Sequence, residues 1–89
     1  MRIETSKRFE RNFKKIRNDD LRNKIRTVIE KLEKNPFDVS LNTHKLKGHL
    51  SGIWACKVTL DQRIIFEIDE DEKGLYISLL SLGKHEEVY

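Results

Sequence analysis

The chain has 89 residues, of which 37% are hydrophobic and 37% are charged, and it contains one cysteine. This length predicts a single domain over residues 1–89, and the composition is typical of a folded domain. One cysteine excludes an internal disulfide, and no Cys/His cluster suggests a metal site. The N-terminal stretch MRIETSKRFERNFKK lacks the apolar segment of a secretion signal, and no apolar stretch has the length of a membrane span, so we expect a cytoplasmic protein.

The net charge of +3 is the sum of two unlike parts. Residues 1–66 contain 16 Lys and Arg against 8 Asp and Glu, whereas residues 67–89 contain 2 against 7. A basic surface of this size is typical of proteins that bind a polyanion, and nucleic acid is the commonest polyanion. The same charges also suit ordinary solvated helix faces, and charge alone favours that simpler explanation.

The first half of the chain predicts a short strand and two helices. Residues 1–4 are strand-like, and Thr5 or Ser6 has the hydroxyl that can cap the helix after them. Asn-Asp-Asp at residues 18–20 separates the two helices, and Asn35-Pro36 ends the second, because the residue before proline leaves the helical region. The apolar stripes, at helical spacing, are Phe9, Phe13 and Ile16, and then Leu21, Ile25, Val28, Ile29 and Leu32.

The second half changes to the two-residue period of β-strands. IWACKVTL (53–60), RIIFEID (63–69) and LYISLLSL (75–82) each predict a strand, and residues 44–46 predict a shorter one. Asp61-Gln62 predicts a tight turn, and residues 70–74 predict a charged connection that ends in glycine. The positions predicted to face inward are Trp54, Cys56, Val58 and Leu60, and then Ile64, Phe66 and Ile68. The whole predicts an α+β fold, with an N-terminal helical hairpin on one face of a small twisted antiparallel β-sheet.

The other face of that sheet is predicted to be open and to carry Lys57 and Arg63. Two cations on one face suit a phosphate, which arginine can contact through two parallel hydrogen bonds. The three histidines, His44, His49 and His85, fall at strand ends or in loops, where a side chain that titrates near neutral pH can serve catalysis. On pattern alone, ordinary surface histidines remain the simpler interpretation.

Five features occur in a fixed order along the chain: two N-terminal helices, H-x-L-x-G, G-x-W, D-x-R-I-x-[FY] and L-G-x-H-x-x-[VL]-[YF]. The four sequence motifs lie in THKLKGHLSGIWACKVTLDQRIIFEI and in the ending LLSLGKHEEVY. Because these features occur in this order, the chain resembles the RelE/ParE superfamily of toxins. Within that superfamily it most resembles the RelE/YafQ-type mRNA interferase branch. The resemblance implies a microbial RNase-like fold and a toxin of a type II toxin–antitoxin system. It also implies a metal-independent endoribonuclease, without cofactor, that cleaves mRNA in the ribosomal decoding site and inhibits translation.

The resemblance also implies roles for single residues. His44, Asp61 and His85 stand at the catalytic positions of YafQ-like toxins, and Lys57 and Arg63 stand at positions that RelE-like toxins use on phosphate. We expect His44 or Asp61 to take the proton of the attacking 2′-hydroxyl and His85 to protonate the departing 5′-oxygen. Lys57 and Arg63 would stabilise the charge on phosphorus between them.

Residues Lys45, Lys47, Lys84 and Tyr89 are expected to bind RNA, with Tyr89 stacked on a base. A glycine bend at Gly83 is expected to bring His85 and Tyr89 over the open face. The implied partners are a cognate antitoxin in a hetero-oligomer, ribosomal RNA and mRNA, with no membrane. Two alternatives stay open: a ParE-like inhibitor of DNA gyrase with no chemistry of its own, and a weakly active toxin that keeps antitoxin binding. The second rests on two departures, because Ala55 replaces a lysine of the RelE pattern and Lys57 replaces a histidine of the YafQ pattern.

Overall fold

The computed structural model describes residues 1–46 and 52–84. In chain order these residues form β1 (Arg2–Thr5), α1 (Lys7–Lys14), α2 (Asp19–Lys34), a short 3-10 helix (Val39–Leu41), β2 (His44–Lys45), β3 (Ile53–Lys57), β4 (Gln62–Asp71) and β5 (Gly74–Lys84). The strand order in the sheet is β1-β5-β4-β3-β2. The predicted α+β fold is confirmed. The sheet is mixed, because β1 pairs parallel to β5 while the other neighbours pair antiparallel.

The helix boundaries follow from their caps, as the sequence predicted. The Ser6 hydroxyl accepts a hydrogen bond from the Phe9 backbone N–H at 3.0 Å, which caps α1. The Asn18 side chain accepts from the Leu21 backbone N–H at 3.0 Å, which caps α2. At its other end α2 stops at Asn35, directly before Pro36, because the proline has no N–H to continue the helix.

Ser6 also joins α1 to the sheet, because its hydroxyl donates to the Leu80 carbonyl at 2.8 Å. We therefore expect Ser6→Ala to lower the free energy of unfolding by about 1–2 kcal/mol, since both a cap and a half-buried bond are lost. Asn18→Ala, which removes a solvent-exposed cap alone, should cost less. Chemical denaturation of the two variants measures the difference. Equal losses would show that the bond to Leu80 adds nothing.

The hydrophobic core lies between the two helices and one face of the sheet. Its fully or almost fully buried residues are Phe9, Ile25, Val28, Leu32, Leu41, Cys56, Val58, Ile64, Phe66, Ile77, Leu79 and Leu82, with Trp54 and Ile68 packed against them. The predicted inward positions are thus confirmed with one exception. Leu60 is 84% exposed, because β3 ends at Lys57 and Leu60 lies in the turn that follows.

That turn also differs from the prediction in its position. Val58 donates its backbone N–H to the Gln62 carbonyl at 2.9 Å, so the connection is Val58 to Asp61. Gln62 is the first residue of β4 rather than part of the turn. The connection between β4 and β5 is likewise shorter than predicted, because β4 continues to Asp71 and β5 begins at Gly74, whose φ of 108° is a conformation that glycine adopts without strain.

The last strand is longer than the predicted 75–82. Gly83 pairs with Arg63 and Lys84 pairs with Gln62, so β5 has no break at Gly83 and the bend expected there is wrong. A β-bulge shifts the register of β5, because Ser81 pairs with Ile65 whereas Leu79 pairs with the next residue along β4. The bulge lets Leu79 and Leu82 both point into the core although they are three residues apart.

Cys56 is fully buried on the core side of β3. Loss of solvent raises the pKa of its thiol to about 12, so the thiol stays protonated at neutral pH. A protonated, buried thiol is a poor nucleophile, and this confirms Cys56 as a core residue.

Among the described ranges, neither helix has the length and apolar character that a membrane span requires.

Candidate functional site

Three of the predicted catalytic residues lie on the sheet face opposite the helices, which we call the site face. His44 of β2 pairs with Ala55 of β3, and Lys57 of β3 pairs with Arg63 of β4. Ala55 and Lys57 are two residues apart, so both point away from the core and place His44 and Arg63 on the same side. Adjacent strands are about 4.8 Å apart, so β2, β3 and β4 bring the three side chains to neighbouring positions on this face.

Lys57 and Arg63 form a like-charged pair directly across two strands. Such a pair is unfavourable in a sheet, because the two charges repel. Both ion pairs found between described residues belong to Arg2, with Glu4 and with Asp71, so no described carboxylate forms an ion pair with Lys57 or Arg63. Both side chains are half-buried. The arrangement favours an anion held between the two side chains.

Arg63 is oriented by the turn that precedes its strand. Its Nη1 donates to the carbonyl oxygens of Thr59 at 2.6 Å and Gln62 at 3.0 Å. No described residue accepts a hydrogen bond from its Nε or Nη2, and these two groups form the edge of the guanidinium that suits two oxygens of a phosphate. Because the turn already fixes the guanidinium, little freedom is lost when an anion binds.

His44 is exposed at the start of β2, and its Nδ1 lies 3.1 Å from the Asn42 carbonyl oxygen. A carbonyl oxygen only accepts hydrogen bonds, so Nδ1 carries the proton in this contact. In the neutral ring the lone pair is then on Nε2, which is the nitrogen able to accept a proton. Asn42 holds its carbonyl there from a left-handed conformation, φ 49°, which asparagine tolerates better than most residues.

Asp61, the other predicted base, is exposed in the turn of residues 58–61. Its Oδ1 accepts a hydrogen bond from the Thr59 hydroxyl at 3.2 Å, and that hydroxyl accepts from the Gln62 backbone N–H at 3.0 Å. The turn that carries Asp61 is therefore the one that orients Arg63. Its side-chain bond ties Asp61 to the turn rather than to His44 or Lys57.

The structure places two predicted RNA-binding lysines on the other side of the sheet. Lys45 pairs with Trp54 of the core face, and its ammonium lies 6.0 Å from the centre of the Trp54 ring. Lys84 pairs with Gln62 and so alternates with Gly83, which faces the same way as Arg63. The other predicted site residues, together with the third histidine, fall outside the described residues; they are Lys47, His49, His85 and Tyr89.

Comparison with known proteins identifies the family and the fold of this chain. The family model described as the bacterial toxin of type II toxin–antitoxin system, YafQ, matches residues 1–89. The chain belongs to the YafQ toxin family. It is therefore a toxin of a type II toxin–antitoxin system, which confirms the resemblance seen in the sequence. No curated protein sequence matches the chain.

Solved structures share the fold of this YafQ-family toxin. YafQ from E. coli strain BL21(DE3) is 21% identical, with a TM-score of 0.78 over 100% of this chain and 99% of its own. A YoeB/ParE toxin from Agrobacterium tumefaciens is 20% identical, with a TM-score of 0.81 over 96% and 99%. A metal-bound toxin from Helicobacter pylori is 27% identical, with a TM-score of 0.77 over 100% and 99%. In this toxin, no three His, Cys, Asp or Glu side chains of the described residues are grouped to hold a metal ion.

The site face of the toxin is neither uniformly open nor uniformly basic. Its centre is buried, with Ala55 at 0%, Ile65 at 5% and Ser81 at 7% exposure, so the cations lie beside residues that solvent does not reach. The far end carries carboxylates, and these raise the pKa of Tyr76, with Asp69 the largest cause. The carboxylates that share this face by strand register are Glu4, Glu67, Asp69 and Asp71. A polyanion is therefore attracted to the His44 end and repelled from the other.

Sequence reasoning missed a polar cavity of about 310 Å³ beside the site face. It lies where β1 has ended and α1 borders the free edge of β5, and there the Asn12 side chain accepts from the Leu82 backbone N–H at 3.0 Å. Its lining residues are Arg8, Asn12, Lys15, Ile16, Gln62, Ser81, Leu82 and Gly83. One signal was available, because Arg8, Asn12 and Lys15 follow the i, i+4, i+7 spacing of a single helix face.

Proposed function

We propose that this toxin, as a single domain over residues 1–89, is an endoribonuclease that cleaves mRNA in the ribosomal decoding site and thereby inhibits translation, with no metal or cofactor required. The observation that supports this most is the site face, where an oriented arginine, a second cation and a histidine converge. A protein that acts by contact alone has no need of an uncompensated Lys57–Arg63 pair beside a histidine whose Nδ1 is held by a carbonyl.

In the proposed reaction the ribose 2′-hydroxyl attacks the adjacent phosphorus, and the bond from phosphorus to the 5′-oxygen breaks. Nε2 of His44 takes the proton of the 2′-hydroxyl, and Asp61 is the alternative base. Arg63, through Nε and Nη2, and Lys57 hold the non-bridging oxygens as their charge grows. We assign protonation of the departing 5′-oxygen to His85. The products are a 2′,3′-cyclic phosphate and a 5′-hydroxyl.

RNA binding is assigned to two further groups of residues. Tyr89 stacks on a base next to the scissile bond, and Lys45, Lys47 and Lys84 contact phosphates around it. Residues 7–34, which include both helices, carry 11 Lys and Arg against 5 Asp and Glu, and this surplus suits docking on ribosomal RNA. Lys45 and Lys84 point away from the site face, so they suit RNA that wraps around the sheet edge better than the scissile phosphate.

A cognate antitoxin is the proposed protein partner, in a hetero-oligomer in the cytoplasm. The E. coli DinJ-YafQ complex contains a toxin chain of the same fold, with a TM-score of 0.78. We expect the gene beside that of the toxin to encode a small acidic antitoxin, and co-expression of the two to yield a stable complex and restore growth, because acidic segments lower the potential that attracts RNA. Copurification on a tagged toxin measures this. Normal growth during high-level expression of the toxin alone would contradict it.

Cleavage is tested by primer extension on a translated message after brief induction of the toxin. We expect protein synthesis to stop first and the cuts to fall in register with codons. Removal of the start codon from the message should abolish the cuts, since the ribosome must present the mRNA. Loss of DNA supercoiling before any change in intact messages would instead identify a gyrase inhibitor, and intact messages with antitoxin binding retained would identify a weakly active toxin.

A further inference from the structure

The polar cavity at the free edge of β5 carries no role in the reaction described above. Its two cations, Arg8 of α1 and Lys15 at the C-cap of that helix, form no ion pair with any residue in ranges 1–46 and 52–84. They are seven residues apart, which is close to two helical turns, so both project from the same face of α1 toward β5. Asn12 lies between them on that face and is held by its bond to the Leu82 backbone N–H.

Gln62 gives the cavity its second feature. Its Oε1 is buried and accepts no hydrogen bond from the described residues. A buried acceptor without a donor is unfavourable, so Gln62, which lines the cavity, gains when its amide turns the oxygen toward a ligand that supplies a donor. The cavity thus offers cations for an anion and an acceptor for a hydroxyl. A ribose phosphate carries both groups.

The cavity is continuous with the site face around the edge of β5. Ser81 and Gly83 line the cavity, and the same two residues pair with Ile65 and Arg63 across the sheet. Gly83 is therefore one strand spacing, about 4.8 Å, from Arg63. A single RNA strand bound at Arg63 can pass over Gly83 and place its neighbouring nucleotide in the cavity.

We propose that this cavity is a second RNA subsite, in which Arg8 and Lys15 bind the phosphate of a neighbouring nucleotide and Gln62 accepts a hydrogen bond from its 2′-hydroxyl. The inference rests on the proposed function, because RNA is the substrate named there. A carboxylate of a protein partner fits less well, since it accepts hydrogen bonds and cannot satisfy Gln62.

The test measures binding of a short single-stranded RNA and of its DNA counterpart to toxin freed from its antitoxin, in a His44→Gln background so that the RNA stays intact. The double variant Arg8→Ala/Lys15→Ala should bind RNA about 10-fold more weakly, and the salt dependence of binding should fall by roughly one phosphate contact, because both cations bind the same phosphate. The matched control Lys7→Ala/Arg11→Ala removes the same charges from the same helix outside the cavity and should change affinity much less. Gln62→Met should reduce the preference for RNA over DNA while DNA affinity is kept.

Equal losses in the two double variants would overturn the proposal, because the effect would then come from net charge. Unchanged RNA binding with weaker antitoxin binding would also overturn it and would assign the cavity to a protein carboxylate. Thermal unfolding confirms that each variant is folded. The proposed function is tested separately, by measuring cleavage of ribosome-bound mRNA by the unaltered toxin. RNA binding at the cavity without cleavage would refute the endoribonuclease activity but not the second RNA subsite.

Discussion

Replacing Arg63 with alanine should lower the rate of mRNA cleavage on programmed ribosomes about 10²–10³-fold, measured in a single turnover. The guanidinium is oriented by the carbonyls of Thr59 and Gln62, so in the proposed reaction its free edge would stabilise charge on phosphorus without rearrangement. Arg63→Lys should recover little of the activity. An ammonium has no planar edge that can hold two phosphate oxygens while its other side donates to the carbonyls of the turn.

The control for this variant is Arg17→Ala, which removes an exposed arginine between the two helices. It should cleave at close to the rate of the unaltered toxin once ribosomes are saturated with toxin. Antitoxin binding and thermal stability are measured alongside for both variants. An Arg63→Ala toxin that is folded and fully active would remove Arg63 from the proposed site.

Substitution of His44 by glutamine is expected to reduce cleavage by about 10²–10⁴-fold, the usual contribution of a general base. The side chain is exposed, so folding and antitoxin binding should persist. Glutamine keeps the polar character and approximate size of the histidine but cannot take up a proton at neutral pH. Ribosome binding, measured separately, should be unchanged, because it depends on the basic surface rather than on one side chain.

The comparison with Asp61→Asn decides between the two proposed bases. The amide of this variant cannot act as a base, but its oxygen can still accept the hydrogen bond from Thr59, so the turn that orients Arg63 is preserved. We expect a smaller loss in this variant than in His44→Gln. The reverse order, with His44→Gln nearly active and Asp61→Asn inactive, would make Asp61 the base and His44 a surface residue.

The features that the sequence predicted correctly depend on neighbours close in the chain. The caps at Ser6 and Asn18 and the stop before Pro36 are each set within a few residues, and strand alternation placed Lys57 and Arg63 relative to the core. The parallel pairing of β1 with β5 joins residues more than 70 positions apart, and no local pattern contains it.

The wrong predictions concern features that are set by contacts between residues on different strands and helices. Leu60 continues an apolar alternation but lies beyond the point where β3 ends, because the turn closes through Val58 and Gln62. Gly83 looked like a strand end, yet pairing with Arg63 keeps it in β5. The cavity depends on the approach of α1 to the free edge of β5, so the sequence could place Arg8 and Lys15 on one helix face but not opposite Gln62.

The place of β5 between β1 and β4 sets the order in which a newly made chain can fold. The helices are synthesised first, but the core they cover includes Ile77, Leu79 and Leu82. Until β5 leaves the ribosome, β1 has no partner strand and the apolar sides of α1 and α2 have only part of their packing surface. Folding therefore waits until β5 has been synthesised, since contacts this distant in sequence form late. The complete sheet, with the site face on it, cannot form before β5 has emerged from the ribosome.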